Sequence, residues 1–227
     1  SFEEIPATEL FVRANPTNRN IGDYLYFLLE KQEDNLCSRL DAFISVDEYG
    51  VETLYPSGGL NDLRCLGSED LACFLKAISD SGRYDYLILD LNCDLSKDTL
   101  FLLEQCGKIV LIQNDRPVSH HKSRKLITYM EKTGLIRSPE ELIFVVNRRT
   151  ETDMETDCSE DKSLKGFKRI YVENDRNSFR YANNHLEISI EHVFGIGVKK
   201  IADELLIPEN GGKANEHVTA ADGFLID

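Results

Sequence analysis

The sequence predicts an α/β domain built on a doubly wound, mostly parallel sheet with helices on both faces. Apolar runs at residues 86–91, 109–112 and 142–146 lead to this prediction. Such runs lack the alternation of a half-exposed strand and are typical of strands buried on both faces of a parallel sheet. Segments with helical spacing of apolar residues separate the runs, so we expect strands joined by crossover helices.

Helices and strands alternate along most of the chain, which allows the expected elements to be placed in order. Ser68 and Ser96 are suited to cap two of the helices, because a serine hydroxyl can accept a hydrogen bond from the first turn. Gly82, Gly107 and Gly134 are expected to follow three helix ends. Helices are expected at residues 20–31, 68–81, 96–106, 118–133 and 194–205, and strands at 51–55, 86–91, 109–112, 142–146 and 167–172.

Two stretches depart from this alternation. Residues 150–165 carry six carboxylates and almost no large apolar side chain, so we expect an acidic surface loop there. Residues 208–227 are polar and contain glycine, which predicts a loose tail. The predicted domain therefore covers residues 1–207, and the tail covers residues 208–227.

The composition is that of an acidic globular protein. The chain has 227 residues, of which 41% are hydrophobic, and its formal net charge is −14. Because so acidic a surface repels phosphate groups, we expect no nucleic-acid partner and no attraction to anionic membranes. Residues 208–227 hold four acidic residues against one lysine, which argues against direct membrane anchoring through the C-terminus.

Cysteine usage and hydropathy point to the cytoplasm. The six cysteines form no CxxC pair and have no histidines at zinc spacing, so reduced thiols are the expected state. No run of the sequence approaches the roughly 20 apolar residues that a transmembrane helix needs. No signal peptide is recognisable either, and we expect a soluble, cytoplasmic domain with protein partners.

Polar residues follow each of the buried strands, at the edge of a parallel sheet where ligands bind. Asparagine and aspartate also cap helices and make turns, so each residue has a purely structural alternative. The adjacent histidines His120 and His121, at a predicted helix start, are interpreted as surface or capping residues for the same reason. The strand-end residues are Asp90, Asn92 and Asp94, then Asn114 and Asp115, then Asn147 and Arg148, and finally Glu173, Asn174 and Asp175.

These strands and their ends resemble the MinD/ParA-type deviant-Walker ATPases. Residues 84–90, YDYLILD, are similar to the family's YDYIIID strand, and residues 110–119 resemble the strand and turn VLVVTTPEPTS. Residues 144–148, FVVNR, are similar to the LVVNR strand, and residues 172–175, VEND, resemble the IPND loop. The resemblance covers residues 51–206, and the order of the elements is more specific than any one motif. It implies a P-loop NTPase-like fold.

The resemblance also implies roles for individual residues, with ATP and Mg²⁺ as cofactors. Asp90 matches the Walker B carboxylate, which holds a water on Mg²⁺, and is the expected catalytic and metal-site residue. Asn147 matches the asparagine that faces adenine. Arg148, Glu173 and Asp175 are expected beside the base.

Within this family, the sequence is most similar to the pilus-assembly branch known as TadZ/CpaE. The resemblance implies a homodimer that ATP closes and hydrolysis opens, used as a positional or assembly switch. The acidic charge favours proteins over DNA as the partners of such a switch.

Two departures from the family pattern affect these expectations. Asp94 replaces a glycine that lies near the γ-phosphate, and a carboxylate there would repel phosphate unless it is turned away. No GKGGxGKT loop occurs in the 227 residues, although a phosphate cradle needs consecutive backbone N–H groups and a lysine. We expect the first strand and this phosphate loop to lie upstream, and the chain alone to be inactive as an ATPase.

Two other functions stay open from the sequence. A non-catalytic pseudo-ATPase scaffold that binds protein partners would explain the missing lysine if the chain is complete. A receiver-like phospho-signalling domain would use Asp90 as its phosphoacceptor. A receiver also needs a lysine at the end of its last strand, and Asn147 and Arg148 stand at the comparable position.

Overall fold

The computed structural model describes residues 19–30, 40–47, 49–55, 66–149, 166–182 and 185–206, and the backbone of 218–220. The predicted acidic loop at residues 150–165 lies outside the described residues. Short 3₁₀ turns occur at Leu40–Ala42, Pro139–Glu141 and Arg176–Ser178. The helices are α1 (Ile21–Leu29), α2 (Ser68–Asp80), α3 (Lys97–Glu104), α4 (Pro117–Thr133) and α5 (Val193–Leu205); the strands are β1 (Ile44–Val46), β2 (Glu52–Leu54), β3 (Cys106–Asn114), β4 (Leu142–Arg149), β5 (Lys168–Glu173), β6 (Phe179–Ala182), β7 (His185–Ile188) and β8 (Val218–Ala220).

A parallel sheet with strand order β5-β4-β3-β8 forms the centre of the fold. Strands β3 and β4 pair from Ile109 opposite Leu142 to Asn114 opposite Asn147. Helix α4 connects these two strands, as the crossover between parallel neighbours requires. The predicted doubly wound, mostly parallel α/β fold is therefore confirmed.

Apolar side chains of the sheet point to both faces, and each face has its own core. On one face, Leu111 and Phe144 pack in a large cluster that also contains Ile127 of α4 and Leu71 of α2. On the other face, α5 covers a smaller cluster. This cluster consists of the buried residues Val110, Ile143, Val145, Ile170 and Val172, with Ile112 and the α5 residues Phe194, Ile201 and Leu205 packed against it. Successive residues of β3 and β4 alternate between the two cores, which explains the continuous apolar runs.

Helix ends agree with the predicted signals in three cases and differ in two. Gly82 follows the end of α2 with a φ angle of 60°. The Ser96 hydroxyl accepts a hydrogen bond from the Thr99 amide and caps α3, and Gly134 ends α4 in a left-handed conformation. Helix α2 instead has Gly67 as its cap, because the Asp70 carboxylate accepts a hydrogen bond from the Gly67 amide. Gly107 lies inside β3, so it does not end α3 as predicted.

The strand predicted at residues 86–91 is absent from the described sheet, and this prediction was wrong. The segment is extended without strand pairing, and its side chains alternate in burial. Leu89 and Leu91 are buried in the main core, whereas Ile88 is 58% exposed and Tyr86 is also exposed. Only one side of the segment packs against the protein, because no described strand pairs with it.

Four of the described strands, β1, β6, β7 and β8, lie where none was predicted. Residues 218–220, inside the predicted loose tail, form β8 and pair in parallel with Cys106, Lys108 and Ile109 of β3. Strands β6 and β7 form an antiparallel pair separated by Asn183 and Asn184, residue types that favour two-residue hairpin turns. Strand β2, within the predicted strand at 51–55, pairs with β1. In the described part of the chain, no helix combines the length and apolarity needed to cross a membrane.

Candidate functional site

The carboxyl ends of β3, β4 and β5 bring several of the predicted site residues to one edge of the sheet. Asn114, at the end of β3, pairs with Asn147 of β4. Glu173, at the end of β5, pairs with Arg149 of β4. Ligands bind at this edge in open parallel sheets, so the structure places Asn147 and Glu173 where a binding site is expected.

A bulge interrupts the ladder at Asn147 and Arg148. The pairing of β4 with β5 shifts register between Val146 and Arg149, and Arg148 has a φ angle of 58°. Left-handed backbone costs a non-glycine residue about 1–2 kcal/mol. Strain of this kind and bulges both concentrate at functional sites, where they redirect a side chain.

The bulge also determines how the Asn147 amide is used. Its Oδ1 accepts a hydrogen bond of 2.8 Å from the Arg148 backbone N–H. The two amide N–H donors make no hydrogen bond with the described residues, and the oxygen keeps one lone pair. Asn147 therefore presents both a donor and an acceptor at the carboxyl edge of the sheet.

Asp90 and Glu173 carry carboxylates without a partner among the described residues. Asp90 is half-buried at the end of the extended segment 86–91, and Glu173 is exposed. Most buried or half-buried carboxylates are stabilised by hydrogen bonds or ion pairs. The Asp90 carboxylate is available to bind a cation, either directly or through a water.

Asp175 differs, because its carboxylate is already engaged. It accepts hydrogen bonds from the Asn177 amide at 2.9 Å and from the Ser178 hydroxyl at 2.8 Å. The His192 ring lies 3.9 Å away. The Asn177 amide, the Ser178 hydroxyl and the His192 charge lower the pKa of Asp175 below its ordinary value. The structure gives Asp175 a positioning role, in which it joins the loop after β5 to the start of α5.

Asp94 uses its carboxylate at the start of α3. One oxygen of its carboxylate accepts hydrogen bonds from the Ser96 amide at 3.0 Å and from the Thr99 hydroxyl at 2.6 Å. These are the contacts of a residue that supports the first turn of α3.

A polar cluster at the start of α4 contains two residues, Gln113 and Ser119, that the sequence-based predictions did not single out. His120 contacts Asp115 through Nε2 at 2.8 Å and Gln113 through Nδ1 at 2.6 Å. Beside it, the buried Ser119 hydroxyl donates to Asn114 at 2.5 Å. The signal for this cluster was Gln113, a polar residue in an otherwise apolar strand. The cluster fixes the turn from β3 into α4. His120 lies four residues after the helix cap, Arg116, and no side chain caps this helix, so His120 supports the turn and is not a capping residue.

The donors at this edge suit part of a nucleotide and its metal. Among the described residues, no three His, Cys, Asp or Glu side chains gather closely enough to hold a metal ion. Mg²⁺ needs no such cluster, because it keeps most of its waters and takes one or two carboxylates besides phosphate oxygens. The Asp90 carboxylate is a ligand of that type, although the segment that carries it pairs with no strand of the described sheet. The Asn147 amide, at the carboxyl edge, fits the edge of a base.

Comparisons with known proteins support the fold. The crystal structure of a ParA family ATPase from Chlorobium tepidum TLS is similar to this chain, with a TM-score of 0.56 and 13% sequence identity. The match covers 87% of this chain and 74% of that one. The chain thus has a ParA/MinD-like fold. No protein-family model matches the sequence, and no curated protein matches it.

Proposed function

We propose that this chain is the nucleotide-binding domain of a ParA/MinD-like ATPase and acts as an ATP-dependent positional or assembly switch. The strained bulge that presents Asn147 at the carboxyl edge of a ParA-like sheet is the observation that carries this proposal. Strain persists where the surrounding structure maintains it for a function. An adenine-binding amide is the function that best suits this position.

Each residue of the site then has a distinct task. The Asn147 amide donates to a ring nitrogen of adenine and accepts from its amino group, since an amide offers both. The Asp90 carboxylate orients a metal-bound water, and Arg148 and Glu173 flank the base. Bound Mg²⁺ would neutralise charge on the phosphate oxygens. Asp175 holds the loop beside the base in place through its bonds to Asn177 and Ser178.

The phosphate-binding part of the site remains a separate proposal. The 227 residues contain no G-x-x-x-x-G-K-[ST] run, so we propose that an upstream segment supplies the cradle. The proposed ATP hydrolysis depends on that segment, and so does the proposed homodimer that opens and closes. A cytoplasmic location and a role in pilus assembly belong to the same proposal. A pseudo-ATPase scaffold is the second candidate, and the same missing run favours it.

NMR titration of the isotope-labelled chain with ATP in the presence of Mg²⁺ tests the proposal, because chemical shifts detect binding in the millimolar range. We expect ATP to shift the Asn147 side-chain amide signals more than GTP does. Asn147→Ala should weaken binding by about 1–3 kcal/mol, the usual result of leaving a buried polar group unpaired. Asp90→Ala should remove the dependence on Mg²⁺ and leave some binding.

Gln105→Ala provides a matched control, since it deletes an exposed amide at the end of α3, away from the strand ends. This change should alter ATP binding by less than about 0.5 kcal/mol. If ATP shifts no signal at the ends of β4 and β5, nucleotide binding by this chain is refuted and the scaffold function is favoured. Equal ATP and GTP responses would exclude Asn147 as the base-selecting residue.

A further inference from the structure

The outer surface of helix α4 carries a stripe of exposed residues opposite to the face that packs on the sheet. The buried face consists of Ser119, Ser123, Ile127 and Met130. With about 3.6 residues per turn, the residues directly opposite are spaced three or four positions apart. They are Val118, His121, Lys125, Tyr129 and Lys132, here called the outer stripe. At a rise of about 1.5 Å per residue, the stripe is about 21 Å long.

The outer stripe is basic although the chain is acidic. Helix α4 contains four lysine or arginine residues and one acidic residue, whereas the whole chain has 26 basic and 40 acidic residues. Lys122 and Arg124 are engaged in other interactions, so the charge that the stripe offers is that of Lys125 and Lys132. Both lysines are exposed, and neither makes an ion pair within the described part of the chain.

An exposed lysine on a helix often pairs with an acidic residue of the same helix. Lys76 of α2 is of this kind, because it contacts Asp80, four residues later, at 2.7 Å. The residues three and four positions away from Lys125 are His121, Lys122, Thr128 and Tyr129. None of them is acidic, so pairing along the helix explains Lys76 but not Lys125.

The spacing of the outer stripe favours a helical ligand. Its members follow one another at three or four positions over about four turns, the spacing at which two helices pack side by side. Val118 is 63% exposed and Tyr129 is 36% exposed, so the stripe also offers apolar contacts.

The charge of the ligand follows from the two lysines. DNA or an anionic membrane would meet the whole chain, whose net charge is −14, and would be repelled. A short acidic helix is screened from charges beyond about 8 Å at physiological salt, so Lys125 and Lys132 act on it most strongly.

We propose that the outer stripe of α4 binds an acidic amphipathic helix of a partner protein. Carboxylates of that helix pair with Lys125 and Lys132, and its apolar side chains pack on Val118 and Tyr129. This recognition uses no group at the ends of β4 and β5, so it does not depend on the proposed nucleotide binding.

Fluorescence anisotropy tests the proposal with a labelled peptide made of three Leu-Ala-Gln-Glu-Ala-Ala-Glu repeats, at physiological salt. We expect saturable binding, with shifts of the α4 amide signals in a parallel NMR titration. Lys125→Glu should weaken binding about tenfold or more, because it places a like charge against the peptide glutamates. Lys125→Gln removes the charge without reversing it and should weaken binding about threefold, which keeps the test valid if the charge reversal lowers the melting temperature.

Lys199→Glu is the matched control, because it makes the same change of net charge at an exposed position of α5. Helix α5 covers the opposite face of the sheet from α4. This variant should weaken binding by less than about threefold, since the new charge is far from the stripe and is screened.

Two modified peptides and two phosphate-bearing ligands separate an acidic helix from other partners. Proline in place of an alanine of the middle repeat keeps every glutamate but breaks the helix, so it should weaken binding about tenfold. Glutamine in place of every glutamate should abolish binding, and neither a short DNA duplex nor phosphatidylserine vesicles should bind. The proposal is overturned if the glutamate peptide does not bind, if the proline peptide binds equally well, or if Lys125→Glu and Lys199→Glu have the same effect. Binding of DNA or vesicles that Lys125→Glu removes would overturn it as well.

Discussion

Arg148 occupies a left-handed backbone conformation that glycine adopts at little cost and a β-branched residue adopts only with difficulty. The bulge orients the Asn147 side chain so that its Oδ1 accepts a hydrogen bond from the backbone N–H of Arg148. The left-handed conformation of Arg148 lowers the stability of the fold, and it holds the Asn147 side chain in place. Such an exchange is typical of binding sites.

This strain can be measured with two substitutions that remove the same charge. Arg148→Val should lower the free energy of unfolding by about 1 kcal/mol, because a β-branched residue adopts the left-handed conformation with more strain than arginine, which already pays part of this cost. Arg148→Gly should change it by less than about 1 kcal/mol, since relief of strain and the added freedom of the unfolded chain oppose each other. Urea denaturation followed by circular dichroism gives both values. Equal destabilisation by the two variants would show that the side chain of Arg148, and not its backbone, matters.

The sequence predicted that polar residues stand at the strand ends. It did not predict which of them bond to the following turn and which remain available for a ligand. Asn147, Asp90, Asp94 and Asp175 all have polar side chains that could serve as caps or ligands. The structure engages Asp94 and Asp175 in hydrogen bonds with the following turns. It leaves Asp90 without a described partner. Sequence gives no information on this choice, because it depends on the direction of each chain turn after the strand.

Two similar apolar runs show how an element depends on its neighbours. Residues 109–112 pair with β4 and become part of a strand, whereas residues 86–91 have no described partner and stay outside the sheet. The local composition is nearly the same in both. The fold class could therefore be predicted from the pattern of runs, but strand pairing could not, because it is a long-range property.

Ile88 and Leu89 provide a direct test of this difference. Ile88 is 58% exposed and Leu89 is 3% exposed. Ile88→Asp should change the free energy of unfolding by about 0.5 kcal/mol or less, as surface substitutions do. A strand buried on both faces, as the sequence predicted for residues 86–91, would instead make Ile88→Asp unfold the domain. Leu89→Asp should unfold the domain, because it buries an unpaired charge.

Thermal denaturation of Ile88→Asp and Leu89→Asp distinguishes one-sided from two-sided burial of residues 86–91. Leu89→Ala, expected to cost about 2–5 kcal/mol, gives a measurable value if Leu89→Asp does not fold. Unfolding by Ile88→Asp would mean that residues 86–91 are buried on both sides, as the sequence suggested. It would contradict the one-sided packing seen in the structure.

At the scale of the whole molecule, the two lateral edges of the central sheet differ. The β5 edge is lined by charged residues and a helix. On the opposite side, β3 pairs with β8 over Cys106 to Ile109, while β4 pairs with β3 from Ile109 to Asn114. Residues 218–220 thus pair with the first part of β3, and no other described strand pairs with β3 on that side. Exposed edges of this kind invite pairing with other chains.

Thr219→Pro should weaken the pairing of β8 with β3 without changing the rest of the sheet. Thr219 pairs with Lys108, and proline cannot donate a ladder hydrogen bond. We expect faster hydrogen exchange of the amides at residues 106–109 and concentration-dependent self-association, measured by light scattering after size exclusion. Gly212→Pro, outside β8, controls for proline itself and should change neither.

Unchanged exchange in Thr219→Pro would show that β8 contributes no protection in solution. The edge of β3 would then be open along its whole length, and a chain that stayed monomeric would have to rely on its net charge of −14 to prevent association.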